Sequence, residues 1–462
     1  RMAPRANGLR NAKRAASTWC GLRSTWASER TAVRNPRDNT TSFTWDALDR
    51  ARTMTRPGSN LTSYNYDTQD NPSSIVDPNT FTTQYAYDDF GRLGQVVSPD
   101  TGTTKYVHDP AGNVTQMTDA RATVVNYGYD ALNRITSVQF PSDSTQNIAF
   151  TYDSTSVTYG IGRLTGRTDT SGTYTFYYDA QGNMVREDKV VNSVSYTTQY
   201  TYNKNNILTS ITYPSGRVVS YTMDTVQRVS QVSMTTQGTP VTLASSITYM
   251  PFGGSASLTY GNSLSLTQTW DNQYRLSSIT AGSVVSLSYG YDASGNVTSI
   301  TDTIGSAPGQ YIDSTTYAYE SGTNRLTTIT GTPTATLTHD ANGNIITEGT
   351  RTFTYDLTNR LTAVTDNETE IVSYVYDARN LRVKKTTPAE TRIFHYDVNG
   401  HLIAETDTAG NTLVEYVYLS DMPLAMVQPT DTVYYFHTDH LGTPRVITNS
   451  AGTVAWQAAY HG

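Results

Sequence analysis

The sequence predicts an all-β chain in which tandem antiparallel β-hairpins join into one long curled sheet. Three observations predict it: Tyr-Asp doublets recur every 21 residues, Gly or Asn recurs three positions after the aspartate, and tyrosine stands in for aliphatic residues. The composition comes first. The chain has 462 residues, of which 34 are Tyr, and its hydrophobic share is 37%. Leu, Ile, Val and Phe make up only about 19%, a level at which disorder becomes a fair suspicion. Disorder goes with a large charge imbalance, and the net charge here is only -7. Tyrosine therefore reads as the packing residue of an ordered β structure, because its ring buries apolar area while its hydroxyl finds an acceptor or water. Abundant Thr, Ser, Asn and Gly suit strands and tight turns and disfavour long helices.

The repeat sets the strands. Trp45, Tyr66, Tyr87, His108 and Tyr129 are each 21 residues apart, and each precedes an aspartate: Asp46, Asp67, Asp88, Asp109 and Asp130. The register resumes at Asp179, Asp271, Asp292, Asp356, Asp377 and Asp397, with degenerate copies between, among them Asp340. In Tyr85-Ala86-Tyr87 the two tyrosines lie two apart and share one face of a strand. The aspartate that follows is placed to accept hydrogen bonds from the next two or three backbone amides and so to close a turn. Three positions on, the chain must take positive φ to rejoin the sheet, which Gly and Asn tolerate at least cost. The expected turn pairs are Asp88 with Gly91, Asp109 with Gly112, Asp130 with Asn133, Asp179 with Gly182, Asp292 with Gly295, Asp340 with Gly343, Asp356 with Asn359, Asp377 with Asn380, Asp397 with Gly400 and Asp439 with Gly442. Gln227 and Tyr274 break the rule and predict longer, distorted or strained turns. Leu93, Val114, Ile135, Met184, Val297, Ile345, Leu361 and Leu402, two residues past each turn residue, return an apolar side chain to the sheet.

Arrays of this kind have a predictable shape. Each unit gives two strands of about seven residues, and about nineteen units give nearly forty strands, on the order of 180 Å of sheet. Accumulated twist forces so wide a sheet to curl, and a spiral strip around a cavity is the expected outcome. The Ser-, Thr- and Gly-rich stretches 141–163, 187–199, 231–247 and 302–317 are expected to project as loops.

Charge divides the chain in two. Residues 1–37 carry nine cations against Glu29, a balance of +8, and show no repeat; they are expected to form a basic, poorly ordered leader. The array, 38–462, then carries -15, which excludes nucleic acid as a partner for the main body. A single Cys20 rules out an internal disulfide framework, and no apolar run of 18 residues offers a membrane span. The chain starts at Arg1 without an apolar signal core, so an export signal is expected upstream.

The strings YAYDDFGRL, YGYDALNRI, YYDAQGNM, YGYDASGNV and YDLTNRL, with the terminal run from Tyr435 to Arg445, resemble the RHS/YD-repeat family. The likeness covers 38–462, with 374–462 resembling the end of the family's core region. It implies hairpin strips wound into a hollow shell, as in polymorphic bacterial toxins, Tc toxin complexes and the teneurins. It further implies a secreted or cell-surface bacterial protein whose partner is an encapsulated C-terminal toxin or effector. The family's DPxGxxGG-like cleavage segment is expected beyond Gly462, so neither self-cleavage nor cargo is assigned to these residues.

Candidate chemistry is sparse. His437, Asp439, His440 and His461 are the only grouping with metal-ligand types, but Asp439 and Gly442 already have an account as a turn. No nucleophile elbow, phosphate loop or HExxH string is present. No catalytic residue, metal site or cofactor is therefore expected. Two functions from different classes remain: a structural shell or scaffold that contains an effector, and a cell-surface adhesion or carbohydrate-binding module that presents tyrosines to glycans.

Overall fold

A computed structural model describes residues 30–35, 38–236, 238–251, 254–292, 297–302, 316–331 and 334–458. Among them forty strands follow one another, from β1 (Ala32–Arg34) to β40 (Val454–Gln457), and the one helical element is a 3₁₀ turn at Ser144–Gln146. Each strand pairs antiparallel with the next in sequence, in a sheet of 25 strands ending at β25 (Val297–Asp302) and a sheet of 15 starting at β26 (Thr316–Tyr319). The continuous sheet expected from the repeat is thus two sheets. Residues 303–315, between them, lie outside the described residues. So do residues 1–29, while β1, paired with β2 (Thr40–Trp45), lies within the segment the sequence sets before the repeats.

One hairpin shows why the strip curls. β6 (Thr82–Tyr87) pairs with β7 (Leu93–Ser98) in the register Tyr85↔Val96, Ala86↔Gln95 and Tyr87↔Leu93, so β7 carries one extra residue, Gly94, just past the turn. The same shift sits before Tyr66, Tyr129, Tyr178, Tyr202, Tyr291, Tyr355 and Tyr396. A bulge adds right-handed twist to its strand. Repeating it at one end of hairpin after hairpin bends the strip in a constant sense. The apolar residues expected to re-enter the sheet are the first residues of their strands, Leu93, Val114, Ile135, Met184, Val297, Ile345, Leu361 and Leu402.

Two of the expected loops are largely strand, and a third contains one short strand. Residues 187–199 and 231–247 form the hairpins β15 (Met184–Val191) with β16 (Val194–Tyr202) and β19 (Val229–Thr236) with β20 (Thr239–Tyr249), and 141–163 contains β12 (Ile148–Tyr152). Ser and Thr read as loop formers there, yet they occupy one side of strands whose other side carries Val191, Tyr196, Val232 and Leu243, a period-2 pattern that favours strand.

The second sheet returns over the first, with side-chain contacts between residues 143 to 247 apart in sequence. It docks first by its edge. Asn324 Nδ2 donates to Asp77 and Asp100, Asn342 Nδ2 to Asp119, and Arg121 to the Asp356 carbonyl, so the Tyr-Asp turns of one coil sit on the far-end turns of the coil before. Docking is then by the face. From β35 (Leu402–Thr406) onward, Ile403, Val417, Leu424, Val427 and Val433 join Tyr200, Ile211, Val232, Leu243 and Leu258 of the first sheet in one buried core. Leu243 and Leu424 are fully buried, and burying each such side chain stabilises the fold by about 1.5–3 kcal/mol.

Candidate functional site: an apolar inner stripe and the turns that hold it

Asp88 shows how a turn is built. Its Oδ1 accepts from the amides of Phe90 (3.0 Å) and Arg92 (2.9 Å), while the Gly91 amide closes the turn on the Asp88 carbonyl (2.9 Å). The carboxylate thus takes the second and fourth amides, not consecutive ones, because the third is spent on the backbone. Gly91 has φ +70°. The equivalent residues are Gly112 (+88°), Asn133 (+59°), Gly182 (+96°), Gly343 (+83°), Asn359 (+64°), Asn380 (+66°), Gly400 (+89°) and Gly442 (+77°), each with its amide on the carbonyl of Asp109, Asp130, Asp179, Asp340, Asp356, Asp377, Asp397 and Asp439 in turn. Gly295, the partner expected for Asp292, lies outside the described residues.

Gln227 and Tyr274 do not lengthen their turns. They close on Asp224 and Asp271 at ordinary distances and adopt φ +67° and +62° themselves. The fixed turn length prevails over the residue's own preference, which costs about 1–2 kcal/mol for a side chain with Cβ in this region. Asn203 Nδ2 donates to Gln227 Oε1, as Asn113 Nδ2 does to Asn133 Oδ1 in another unit. Gln227→Asn is therefore expected to raise the unfolding free energy by about 0.5–1 kcal/mol, read as a higher urea midpoint at unchanged slope.

The residue four after the aspartate has a role that the sequence reading did not assign. Arg92 Nε donates to Asp88 Oδ2 and its Nη1 to the Asp109 carbonyl, clipping one turn to the next; Arg275 and Arg360 do the same toward Asp292 and Asp377. Asn113 and Asn183 replace the arginine by bonding Asp109 or Asp179 and then Asn133 or Asn206. The Arg92 amide, with its guanidinium, holds the Asp88 carboxyl below the usual carboxylate range. The signal was present in the strings GRL, NRI and GNM. Arg50, Arg134 and Arg275 also stack on Tyr66, Tyr152 and Tyr291 at 4.4–4.6 Å.

Tyrosine hydroxyls stitch hairpins together. Tyr66 donates to the Ala51 carbonyl, Tyr129 to Val114, Tyr178 to Leu164, Tyr202 to Met184 and Tyr291 to Leu276, at 2.6–3.0 Å. These hydroxyls are engaged by the sheet's own backbone.

The other tyrosine of each unit faces an aliphatic partner: Tyr64↔Ile75, Tyr85↔Val96, Tyr106↔Met117 and Tyr127↔Val138. These pairs form an apolar stripe, half-buried along residues 64–138. The opposite face carries pairs such as Asn65↔Ser74 and Ala86↔Gln95. Further along, Tyr200↔Ile211 and Tyr221↔Val232 continue the stripe, and there the chain's own terminal strands cover it.

The histidine grouping does not converge. His437 is buried, with Nε2 on Thr448 Oγ1 (2.8 Å) and its ring on Tyr260, whereas His440 is exposed and meets Tyr289 edge-on. Asp439 holds the amides of Leu441 and Thr443, and His461 lies outside the described residues. The polar groups that do gather are at the seam. Arg167, Asp169, Glu187, Lys189 and Asp377 are all buried, Arg167 forming ion pairs with Asp169 (3.0 Å) and Asp377 (3.1 Å). Burial pushes the Lys189 ammonium down to about 8, and its Nζ donates to the Phe394 carbonyl. Among the described residues no helix is long and apolar enough to cross a membrane.

Comparison with known proteins agrees with this architecture. The teneurin YD-shell profile matches residues 244–422, the RHS protein profile 433–462, and the RHS repeat profile 66–104, 108–145 and 160–190. Among curated proteins the chain is 26% identical to a tRNA nuclease WapA of Bacillus subtilis over 37% of its own length, and 30% identical to a double-stranded DNA deaminase toxin A of Burkholderia cenocepacia over 26%. It spans only 7% and 11% of those two proteins. Among solved structures, the TcdB2-TccC3 complex superposes over 92% of this chain and 28% of its own, with a TM-score of 0.75 at 15% identity. A Photorhabdus luminescens Tc holotoxin pore gives 0.75 at 17% identity, over 92% of this chain and 27% of its own. At such identities the likeness is one of fold. Tyr-Asp turns at a 21-residue spacing, a strip that curls back on itself and the three matching profiles together place the chain in the RHS/YD-repeat family.

Proposed function

We propose that this chain is a wall segment of a secreted shell that contains a polypeptide effector, and that it performs no catalysis itself. The observation that carries the reading is the tyrosine stripe: one face of the strip is apolar and half-buried over residues 64–138, the other polar, and the terminal strands cover the same stripe where they reach it. A surface of that chemistry favours apolar polypeptide over water. The relatives' names supply the kind of cargo, a nuclease or deaminase toxin. Expressed in its full polypeptide context with the effector, the shell is expected to shield the effector from added protease. Tyr85→Asp with Val96→Asp, on the inner face, should reduce that protection, and Thr82→Asp with Gln84→Asp, on the outer face, should not. An effector fully digested beside an intact, folded shell overturns the proposal.

A further inference from the structure

The seam between the sheets contains the same arrangement twice. His395 Nε2 lies 3.0 Å from Thr406 Oγ1 with its ring 4.3 Å from that of Tyr196; His437 Nε2 lies 2.8 Å from Thr448 Oγ1 with its ring 4.7 Å from that of Tyr260. The histidines are 42 residues apart, two repeat units, as are the threonines. In each case the histidine and threonine belong to the terminal strands and the tyrosine to the first sheet. Anchors to the carbonyl before each histidine complete the pattern, Lys189 Nζ on Phe394 and Tyr260 Oη on Phe436.

We infer that His395 and His437 form an acid-released latch, which holds the terminal strands on the inner face while the imidazoles are neutral and frees them when protonated. The groups around the rings are neutral or cationic. His395 meets Tyr196, Thr406 and the Lys189 ammonium, which has Glu187 beside it; His437 meets Tyr260 and Thr448. Among the described residues neither ring makes an ion pair. The Nδ1 of His437 is buried without an acceptor, so a proton added there has nothing to bond. Burial, with Lys189 adding repulsion, depresses His395, and burial pushes His437 down to about 4. A group whose folded pKa lies below its unfolded value of 6.5 gives stability that is complete above 6.5 and is lost as pH falls toward the folded pKa. His437 should therefore favour the open form about tenfold per pH unit between 6.5 and about 4, and His395 acts in the same direction below 6.5. Other titrations fall elsewhere or act oppositely. Lys189 loses its proton near pH 8, and turn carboxylates such as Asp88 and Asp109 are held below 3.8. His401 is raised by Asp397 and Asp421 against the effect of burial, so acid strengthens its turn.

Hydrogen exchange on the whole chain, corrected for intrinsic rates, tests the latch. Amides of β34 (Thr391–Tyr396) through β39 (Pro444–Thr448) should lose protection steadily from pH 6.5 to 4.5, while those of β6 and β7 keep theirs. The double variant His395→Gln, His437→Gln should show no such slope, and His401→Gln should leave it unchanged. Should the double variant not fold, the unsubstituted chain decides: terminal strands still protected at pH 4.5, or both sheets opening together, overturns the latch.

Discussion

Asp377→Ala is expected to lower the unfolding free energy by about 3–5 kcal/mol, whereas Asp88→Ala, the same change at the same repeat position, should shift the urea midpoint far less. Both aspartates close identical turns; their surroundings differ. The Asp88 side chain is 33% exposed and its ionic partner is its own Arg92. That of Asp377 is 0% exposed, taking the amides of Arg379 and Leu381 on Oδ1, and on Oδ2 Arg167 from the other sheet (3.1 Å) and Arg379 (3.0 Å). Removing it leaves Arg167, 3% exposed, one ion-pair partner short in a buried seam. Asparagine separates the two roles, since Asn203 and Asn449 already close turns of this kind with a neutral amide. Asp88→Asn should be nearly silent and Asp377→Asn should retain most of the loss. Equal, small effects at both positions would show that the seam charges contribute nothing beyond the turn.

This contrast also marks what was legible in the sequence. A turn is local: the doublet, the left-handed position and the first residue of the return strand lie within seven residues, so spacing alone placed Asp88, Gly91 and Leu93. The role of Arg92 was equally local but went unread, because its second partner, Asp109, belongs to the next unit. The hairpin over 187–199 departs from the loop its composition predicts for a different reason. Composition weighs Ser and Thr by their share, whereas a strand responds to their alternation with Val191, Val194 and Tyr196. The seam was out of reach altogether. Its partners are some 200 residues apart, and nothing in the strings around Asp88 and Asp377 distinguishes the turn that is buried from the one that is not. Nor does the 21-residue period reveal where the strip stops stacking by its edge and lays its face on the stripe, since the same strands serve both modes.

Breaking the ion pair between Arg217 and Glu415 should cost about as much, and the two halves should fail differently with pH. Glu415, fully buried on β36 (Thr412–Leu419), accepts from Arg217 Nε and Ser215 Oγ, while Arg217 also reaches Asp431 (2.8 Å) and the Tyr213 hydroxyl donates to the neighbouring Tyr416 carbonyl. Glu415→Ala takes a fully buried carboxylate away from a guanidinium that is itself 8% exposed, while Asp431, its side chain 34% exposed, stays beside it, a loss of about 3–5 kcal/mol. Arg217→Met leaves a carboxylate in the core beside Ser215. Burial without a counter-ion favours the neutral carboxylic acid over the carboxylate, so the variant should be most stable in acid and lose stability as pH rises. The double variant Arg217→Met, Glu415→Leu removes both charges where Met234 and Val417 are close-packed, and should recover most of the loss at neutral pH. Urea titrations of the unsubstituted chain, Arg217→Met, Glu415→Leu and their combination at pH 5 and 8 close the cycle. A coupling energy near zero, or an Arg217→Met chain equally stable at both pH values, would mean that water reaches the pair and that the terminal strands are held by apolar packing alone.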